Sequence, residues 1–309
     1  MKARQTGAAL LAAMLTVTLV ASLAAAALWQ QWRSIEVESA ERARQQSLWV
    51  LTGALDWARL ILREDARSGG ADHLAEPWAI PLAEARMSTF LSADQSTSVD
   101  NDNTMLQAFL SGGISDLQAR MNVRNLVDDS NKLSEPDLKA FAKLFQQLGL
   151  QPAEVTLIAT NLRLALDSGS AAAPDTAPLM PQRTRQLGWL GLSGRSLEAL
   201  MPHITLLPVR TPLNINTASP IVMYASVPSM DLAQAQQLAS ARQVTHFRTL
   251  ADASKILGEG AGQLNETQHS VNSRFFEVRG RLRLDQTIVE ESSVVQRDGM
   301  VVKTLWGEH

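Results

Sequence analysis

A long run of apolar residues near the start of the chain predicts a membrane-spanning helix. No side chain within residues 5–32 carries a formal charge, and the apolar stretch 8–29 is long enough to cross a bilayer as a helix. Neither Gly nor Pro interrupts the chain between Gly7 and Gly53, and strong helix formers dominate that interval. We therefore expect one continuous helix over residues 8–67, about 90 Å long at roughly 1.5 Å per residue.

The far half of this helix carries a regular apolar stripe, which predicts contact with a folded body. Its members recur at spacings of three and four residues, so they share one helix face. We expect Trp49, Trp57 and Ile61 to widen that face, and Gly69-Gly70 to end the helix. The stripe consists of Leu48, Leu51, Leu55, Ala58 and Leu62.

Two groups of predicted strands lie far apart in the chain. The first is a hairpin of 104–110 and 114–125 around the turn Ser111-Gly112-Gly113, where glycine supplies the positive φ of a tight turn. The second covers 273–285, 288–297 and 300–306, with Asp298-Gly299 as a two-residue turn. A small antiparallel sheet built from both groups and packed on the long helix would be an α+β fold.

Helical patterns occupy the interval between the two strand groups. Ser134-Glu135-Pro136-Asp137 has the form of a capping box, and the apolar positions after it share one side until Gly149. A second helix is predicted over 152–166, a linker over 167–175, and further helix near Ser196. The segment 213–219 then opens a helix-turn-helix-like unit with predicted helices over 220–225 and 229–242 and a short helix after Thr249 that ends at Gly258.

The N-terminus resembles the type IV pilin superfamily and, within it, the pseudopilins of type II secretion. In that family a prepilin peptidase removes a basic leader ending in Gly on the cytoplasmic side, and the new first residue is N-methylated. The matching residues are Lys2, Arg4, Gly7 and Ala8. The family's Glu at the fifth mature position is replaced here by Ala12, and loss of this Glu is a trait of the K-type minor pseudopilin.

Two inner segments extend the resemblance to the K type. Residues 114–126 are similar to its core D-x-x-G-R-[FLM]-N-[LV]-N-x-L, although Ala119 replaces the usual Gly and Arg124 departs from the usual spacing. The unit opened by 213–219 resembles the sterile-alpha-motif-like domain within the large helical insertion of that family. The resemblance implies a leader at 1–7, a transmembrane part at 8–32, pilin body at 33–128, insert and linker at 129–182, the sterile-alpha-motif-like part at 183–270, and C-terminal strands at 271–309.

By this resemblance the protein is a non-enzymatic minor pseudopilin that caps the pseudopilus tip and initiates its assembly for protein export. The implied partners are minor pseudopilins of the I and J types, other pseudopilins, the inner-membrane assembly platform and the prepilin peptidase. The stripe Leu48, Leu51, Leu55, Ala58 and Leu62 is the implied face for partner helices. Because Lys2 and Arg4 precede the apolar run, we expect a cytoplasmic N-terminus, a single pass through the inner membrane and a periplasmic bulk.

Two other interpretations fit parts of the sequence. An ordinary signal anchor could precede an unrelated periplasmic domain. The 213–219 segment also resembles the start of helix-hairpin-helix modules, which would suggest a membrane-tethered DNA-binding protein of a DNA uptake system. That module needs a Gly-rich hairpin whose amides face phosphate, whereas 227–230 contains no Gly and includes Pro228. Three basic against four acidic residues over 212–270 also make nucleic acid an unlikely partner.

The residues that usually carry chemistry are sparse. The chain has no Cys, its five His are scattered in sequence, and its formal net charge is -3. No nucleophile elbow, Walker A loop or zinc-protease motif is present, so we predict no catalytic residues and no firm cofactor. Asp100-Asn101-Asp102-Asn103 resembles the start of a calcium-binding loop but does not complete the EF-hand pattern. Asp128-Asp129-Ser130-Asn131 is a similar polar segment. Members of the resembled family have been associated with calcium, so the resemblance leaves a structural calcium ion as an open question. The sequence does not identify its ligands.

Overall fold

The computed structural model describes residues 6–87, 108–167, 177–258, 264–284 and 287–308. Its first element is helix α1, Thr6–Ser68, a single helix of 63 residues. Gly69 and Gly70 end it with φ values of 68° and 118°, which are accessible to glycine because it lacks a Cβ. The predicted long helix and its stop are therefore confirmed, and the helix is long and apolar enough to cross a membrane, with a mean hydropathy of 2.2 in its most apolar window.

A five-stranded antiparallel sheet packs on the C-terminal half of α1. Its strands are β1 (Leu82–Arg86), β2 (Phe109–Asp116), β7 (Phe275–Leu284), β8 (Thr287–Asp298) and β9 (Val301–Glu308). They pair in that order, so the two distant strand groups meet at the β2–β7 contact. Leu62 and Ala58 of α1 pack there against Phe276, Val278 and Val295. The α+β fold predicted from the sequence is confirmed.

The predicted hairpin around Gly112-Gly113 is wrong. Both glycines lie inside the continuous strand β2, and neither has a positive φ. A Cβ on Gly112 would come within 2.4 Å of the Arg279 carbonyl oxygen on β7, so this glycine permits close contact between strands. Residues 104–107 of the predicted hairpin lie outside the described residues.

The chain beyond Asp116 also differs from the predicted strand 114–125. It continues as two short 3-10 helices, Leu117–Ala119 and Val123–Leu126, on either side of β3 (Met121–Asn122). In both helices a side chain of the preceding residue, Asp116 or Asn122, accepts a backbone amide two residues later. Such local bonds compete with strand pairing, which explains the departure.

At the C-terminus the predicted strands are confirmed, with the turn one residue later than expected. Asp298 pairs with Val301, so Gly299 and Met300 form the two-residue turn. Gly299 has a φ of 57° and supplies the left-handed conformation that this turn needs.

A helical insert fills the chain between β2 and β7. Its helices are α2 (Glu135–Gln147), α3 (Ala153–Asp167), α4 (Gly194–Leu200), α5 (Pro220–Ser226), α6 (Leu232–Val244) and α7 (Leu250–Leu257). Two short parallel pairs join distant parts of it, β3 with β4 (Ile204–Thr205) and β5 (Leu213–Asn214) with β6 (His269–Ser270). The predicted helices are confirmed, and they share a core that includes Phe141, Leu144, Leu162, Leu190 and Leu238.

One predicted helix cap differs in its bonding. Ser134 occupies the N-cap of α2, but its hydroxyl donates to Asp137 at 2.5 Å and makes no capping bond. Asp137 is buried and also pairs with Arg210 at 3.0 Å, while the Ser134 amide donates to the Leu126 carbonyl at 2.9 Å, so the reciprocal bond of a capping box is not made. Reciprocal boxes are present at Asp231 and Gln234, before α6, and at Thr249 and Asp252, before α7.

Candidate functional site: a polar junction and an exposed helix face

The two motifs singled out in the sequence meet in a buried junction between the sheet and the insert. Asp116, at the end of β2, accepts hydrogen bonds from Asn214 at 3.1 Å, Thr217 at 2.5 Å and Ser273 at 2.6 Å, all on Oδ2. Its other carboxylate oxygen accepts the Gln118 amide at 2.7 Å. All five residues are buried. The D-x-x-x-R and N-I-N-T segments therefore hold the insert on the sheet.

Burial raises the pKa of Asp116 to about 6, because the surroundings disfavour a charged carboxylate. The hydroxyl groups of Ser273 and Thr217 oppose that shift by donating to it. The junction therefore contains a carboxyl group that titrates well above the usual range of an aspartate.

A second part of the junction ties the end of α1 to β8. Arg297 donates to Asp65 and to Asp72, each at 2.5 Å, and its guanidinium lies 4.9 Å from the Phe276 ring centroid. Burial opposes the charge of Arg297, but the two carboxylates together raise its pKa. Asp72 also accepts the Ser273 amide at 2.6 Å, which links this ion pair to Asp116.

The carboxylates of Asp65, Asp72 and Glu76 lie within 4.8 Å of one another, a spacing that could suit a metal ion. Each is already engaged, since Arg297 pairs with both aspartates and Glu76 accepts from the Trp78 indole at 2.7 Å. The Arg297 guanidinium therefore already supplies the positive charge that a metal ion would bring to this donor set.

Of the two segments named for calcium, only 128–131 lies within the described residues. Residues 100–103 lie outside the described residues. In the other segment, one Asp128 oxygen accepts the amides of Ser130 and Lys132, at 2.9 and 2.8 Å, as in an Asx turn. Calcium stays a prediction.

The structure brings together two histidines that the sequence shows far apart. The rings of His73, after α1, and His246, after α6, stack with centroids 3.8 Å apart and an interplanar angle of 11°. Burial lowers the pKa of both, which favours the neutral rings that can stack. No sequence signal pointed to this contact, because it depends on how the insert folds back over the end of α1.

The stripe predicted for partner helices serves the chain's own sheet. Leu51, Ala58 and Leu62 are buried, and Leu48 and Leu55 are half-buried. Three of the five stripe side chains are thus covered by the chain's own fold, although Leu51, Leu55 and Ala58 also line an open groove beside the helix, so partner contact through this stripe stays a prediction. The expectation that Trp49 and Trp57 are buried is wrong, since they remain 75% and 54% exposed.

The opposite side of α1 carries the apolar surface that stays open. Trp49, Gly53, Trp57 and Leu60 fall within an arc of about 80° at 100° per residue, and we call these four residues the outer helix face. Its three large side chains are all exposed. Exposed apolar surface of this kind is typical of interaction sites.

A groove of about 600 Å³ runs beside Trp57, between α1 and the segment 77–82. Its lining is mostly apolar and includes Ile61, Trp78, Ile80 and Leu82. The groove extends the outer helix face toward strand β1.

Gly7, Ala8 and Ala12 lie in the first turns of α1 and are exposed. A Cβ on Gly7 would meet no atom within 4 Å, so the fold itself does not require glycine there. Processing at this residue stays a prediction.

The helix-hairpin-helix lookalike is turned inward. The Lys143 ammonium of α2 donates to the carbonyl oxygens of Val227 at 2.8 Å and Met230 at 2.7 Å. Arg242, one of the three basic residues of this unit, donates to the Ile215 carbonyl at 2.5 Å. The turn at 227–230 therefore directs carbonyl groups at Lys143 of the same chain. The hairpin of a DNA-binding module instead directs backbone amides at phosphate.

Comparison with known proteins agrees with this geometry. Two family models described as type II secretion system protein K match residues 119–209 and 213–272, which include the end of the first motif and the whole of the 213–219 segment. Type II secretion system protein K of Pseudomonas aeruginosa is 27% identical, with 99% of this chain and 90% of the relative covered. The protein K of Pectobacterium carotovorum is 23% identical, with 99% and 96% covered.

The fold also matches a solved structure. A chain of the crystal structure of the GspK-GspI-GspJ complex from the enterotoxigenic Escherichia coli type 2 secretion system superposes with a TM-score of 0.60. The two chains are 18% identical, and the match covers 87% of this chain and 97% of the other. At this identity the likeness concerns the fold.

Proposed function

The chain belongs to the protein K family of the type II secretion system, and from that premise we propose that it caps the tip of a periplasmic pseudopilus and initiates its assembly for protein export. In this role it is a structural subunit without catalysis. The proposal includes a membrane anchor formed by the apolar half of α1, a cytoplasmic N-terminus and removal of residues 1–7 by prepilin peptidase.

The position of the insert is the observation that carries the tip assignment. Asn214 of the insert donates to the Asp72 carbonyl at 3.2 Å, just beyond the C-terminal end of α1, the end farthest from the apolar segment. The insert is thus fixed at the distal end of the molecule, where its bulk would prevent another subunit from stacking. A filament that grows from the membrane would carry such a subunit only at its tip.

Ala12 supports the same role. In the pilin family a Glu at this position is thought to meet the N-terminus of the subunit above it. A subunit at the tip has no neighbour above, and an unpaired carboxylate in the bilayer costs about 2.5 to 3.5 kcal/mol on insertion scales. Alanine at position 12 avoids that cost.

The proposed partners are minor pseudopilins of the I and J types, as in the solved complex of similar fold. Other pseudopilins and the inner-membrane assembly platform complete the set. We place the I-type and J-type contact on the outer helix face and the adjoining groove, because aromatic residues dominate binding energy at interfaces.

Co-purification of the full chain with I-type and J-type partners in detergent tests this interface. The double variant Trp49→Ala/Trp57→Ala should lower affinity at least about tenfold, since each truncated aromatic anchor costs roughly 1 kcal/mol or more. Trp189→Ala is the matched control, because Trp189 is 51% exposed but lies on the insert. Equal binding by all three proteins would contradict the assignment.

A further inference from the structure

A cleft of about 590 Å³ separates the insert from the sheet face that α1 leaves uncovered. The strand pleat directs Phe276 and Val278 of β7 toward α1, and it directs Glu277, Arg279 and Arg281 to the opposite face. The insert forms the other wall with residues that include Arg120, Arg185, Thr205 and Leu206.

The cleft is locally positive, although the whole chain has a formal net charge of -3. Its charged lining residues are Arg120, Arg183, Arg185, Arg279 and Arg281 against Glu277, Glu290 and Glu291. The excess of arginine is therefore a property of this site and not of the overall composition.

Two of the cleft carboxylates are engaged within the sheet. Glu277 accepts from Arg279 at 2.8 Å and from Ser292 at 3.1 Å. Glu290 pairs with Arg281 at 3.5 Å. The nearby Asp116 is taken by the junction described above.

Arg120 and Arg185 are left with free guanidinium groups. In the described part of the chain, neither side chain makes a hydrogen bond or an ion pair. Arg120 is half-buried, and its backbone is fixed because the Met121 amide donates to the His203 carbonyl at 2.9 Å. Glu277 and Asp116 attract the half-buried Arg120 guanidinium electrostatically, but its planar donors are not hydrogen-bonded to either carboxylate, so they can bind an added carboxylate.

Arg120 also belongs to the D-x-x-x-R motif, but it does not help to join the insert to the sheet as the other motif residues do. Asp116 holds Asn214 and Thr217, and Asn122 donates to the Val209 carbonyl at 2.8 Å. Both motif residues thereby bind the insert to the sheet. The Arg120 side chain lines the cleft and makes no hydrogen bond to the junction residues, although the charge of Asp116 attracts it.

We propose that this cleft binds an acidic peptide segment, with carboxylates of the peptide paired to Arg120 and Arg185. Leu206, Val294 and Trp306 lie beside the arginines. A peptide can cover these apolar side chains with its own carbon atoms, whereas a free phosphate or a small carboxylate cannot. The proposal goes beyond the tip assignment and does not depend on it.

Fluorescence anisotropy of labelled hexaglutamate with the full chain in detergent tests the site, with hexaglutamine as the neutral probe. Wild type should bind hexaglutamate and not hexaglutamine. Arg120→Gln should weaken binding about tenfold or more, and Arg185→Gln about threefold, because each removes a charge-assisted contact. Arg195→Gln is the matched control, since Arg195 is exposed on α4 outside the cleft.

Arg185 keeps the test decisive if Arg120→Gln disturbs folding, because Arg185 is exposed and its replacement leaves no buried gap. The proposal is overturned if wild type ignores hexaglutamate, or if both cleft variants bind as tightly as Arg195→Gln. Citrate or phosphate that binds in an Arg120-dependent way, without hexaglutamate binding, would overturn the peptide assignment and indicate a small-anion site.

Discussion

Asp116 is the single residue on which the attachment of the insert most depends. It accepts hydrogen bonds from three side chains contributed by β5, the segment after it and the segment before β7. Its carboxyl group is fully buried and has a pKa raised to about 6 from the ordinary 3.8. The carboxyl group that holds the insert on the sheet is thus also a group with a raised pKa.

The raised pKa predicts a stability change with pH. Between about pH 4 and pH 6 the folded state keeps a proton on Asp116 that the unfolded chain has lost, so stability falls as pH rises through this window. The decrease is on the order of 3 kcal/mol. Asp116→Asn cannot titrate and should lack this decrease when urea unfolding is measured from about pH 4 to pH 7.

Asp298→Asn provides the control for this measurement, because Asp298 is exposed and pairs only at the surface with Arg274. It should retain the pH dependence of the wild type. If Asp116→Asn and wild type lose stability equally over the window, burial of the Asp116 charge is not the cause.

Helix α1 performs different tasks along its length. Its first half is exposed and apolar, as a membrane segment requires. Its second half buries one face on the sheet and leaves the outer helix face open. Gly280 makes this packing possible, because a Cβ there would approach Leu51 to 2.8 Å.

The start of α1 leads to a prediction about processing. Gly7→Trp should leave full-length precursor in cells that contain a prepilin peptidase, whereas wild type should begin at Ala8. A Cβ at position 7 meets no atom within 4 Å and the neighbouring residues of α1 are exposed, so failure to cleave would reflect recognition and not misfolding. N-terminal sequencing of membrane-extracted protein checks this.

Gly53→Ala is a suitable control for the processing experiment, since it also replaces an unobstructed glycine of α1 and should be cleaved normally. A cut near residues 24–27 in any of these proteins would contradict the leader assignment and favour an ordinary secretory signal.

At the scale of the whole molecule, sheet and insert are joined through buried polar groups. Asn214, which is fully buried, donates to the Asp72 carbonyl at 3.2 Å, to Asp116 at 3.1 Å and to Ser273 at 2.9 Å. These partners come from the loop after α1, from β2 and from the approach to β7. One side chain therefore connects both lobes with the end of α1.

Asn214→Ala should lower the free energy of unfolding by about 2 to 4 kcal/mol, because it leaves buried acceptors without donors. Asn272→Ala is the control, since that side chain is exposed nearby and only its backbone is hydrogen-bonded. Limited proteolysis should also release the insert faster from the Asn214 variant. Matching stability of the two variants would show that the junction contributes little.

Local patterns were sufficient to predict the long helix, the C-terminal strands and most helices of the insert. Each depends on neighbours in the chain, such as the uninterrupted helix formers before Gly53 or the caps at Thr249 and Gly258. The prediction of a turn at Ser111-Gly112-Gly113 was wrong because glycine occurs both in tight turns and where two strands approach closely. Only the position of β7 shows that Gly112 serves close strand contact and not a turn.

The sequence by itself determined the long apolar helix, the α+β class and the two motifs, because periodicity, caps and runs of apolar residues act over short distances. The tertiary structure decided which face of α1 is open, that Asp116 meets Asn214, that His73 stacks on His246, and that Arg120 faces a cleft. These contacts join residues far apart in the chain, and their formation depends on burial and charge compensation across elements, which no local pattern encodes.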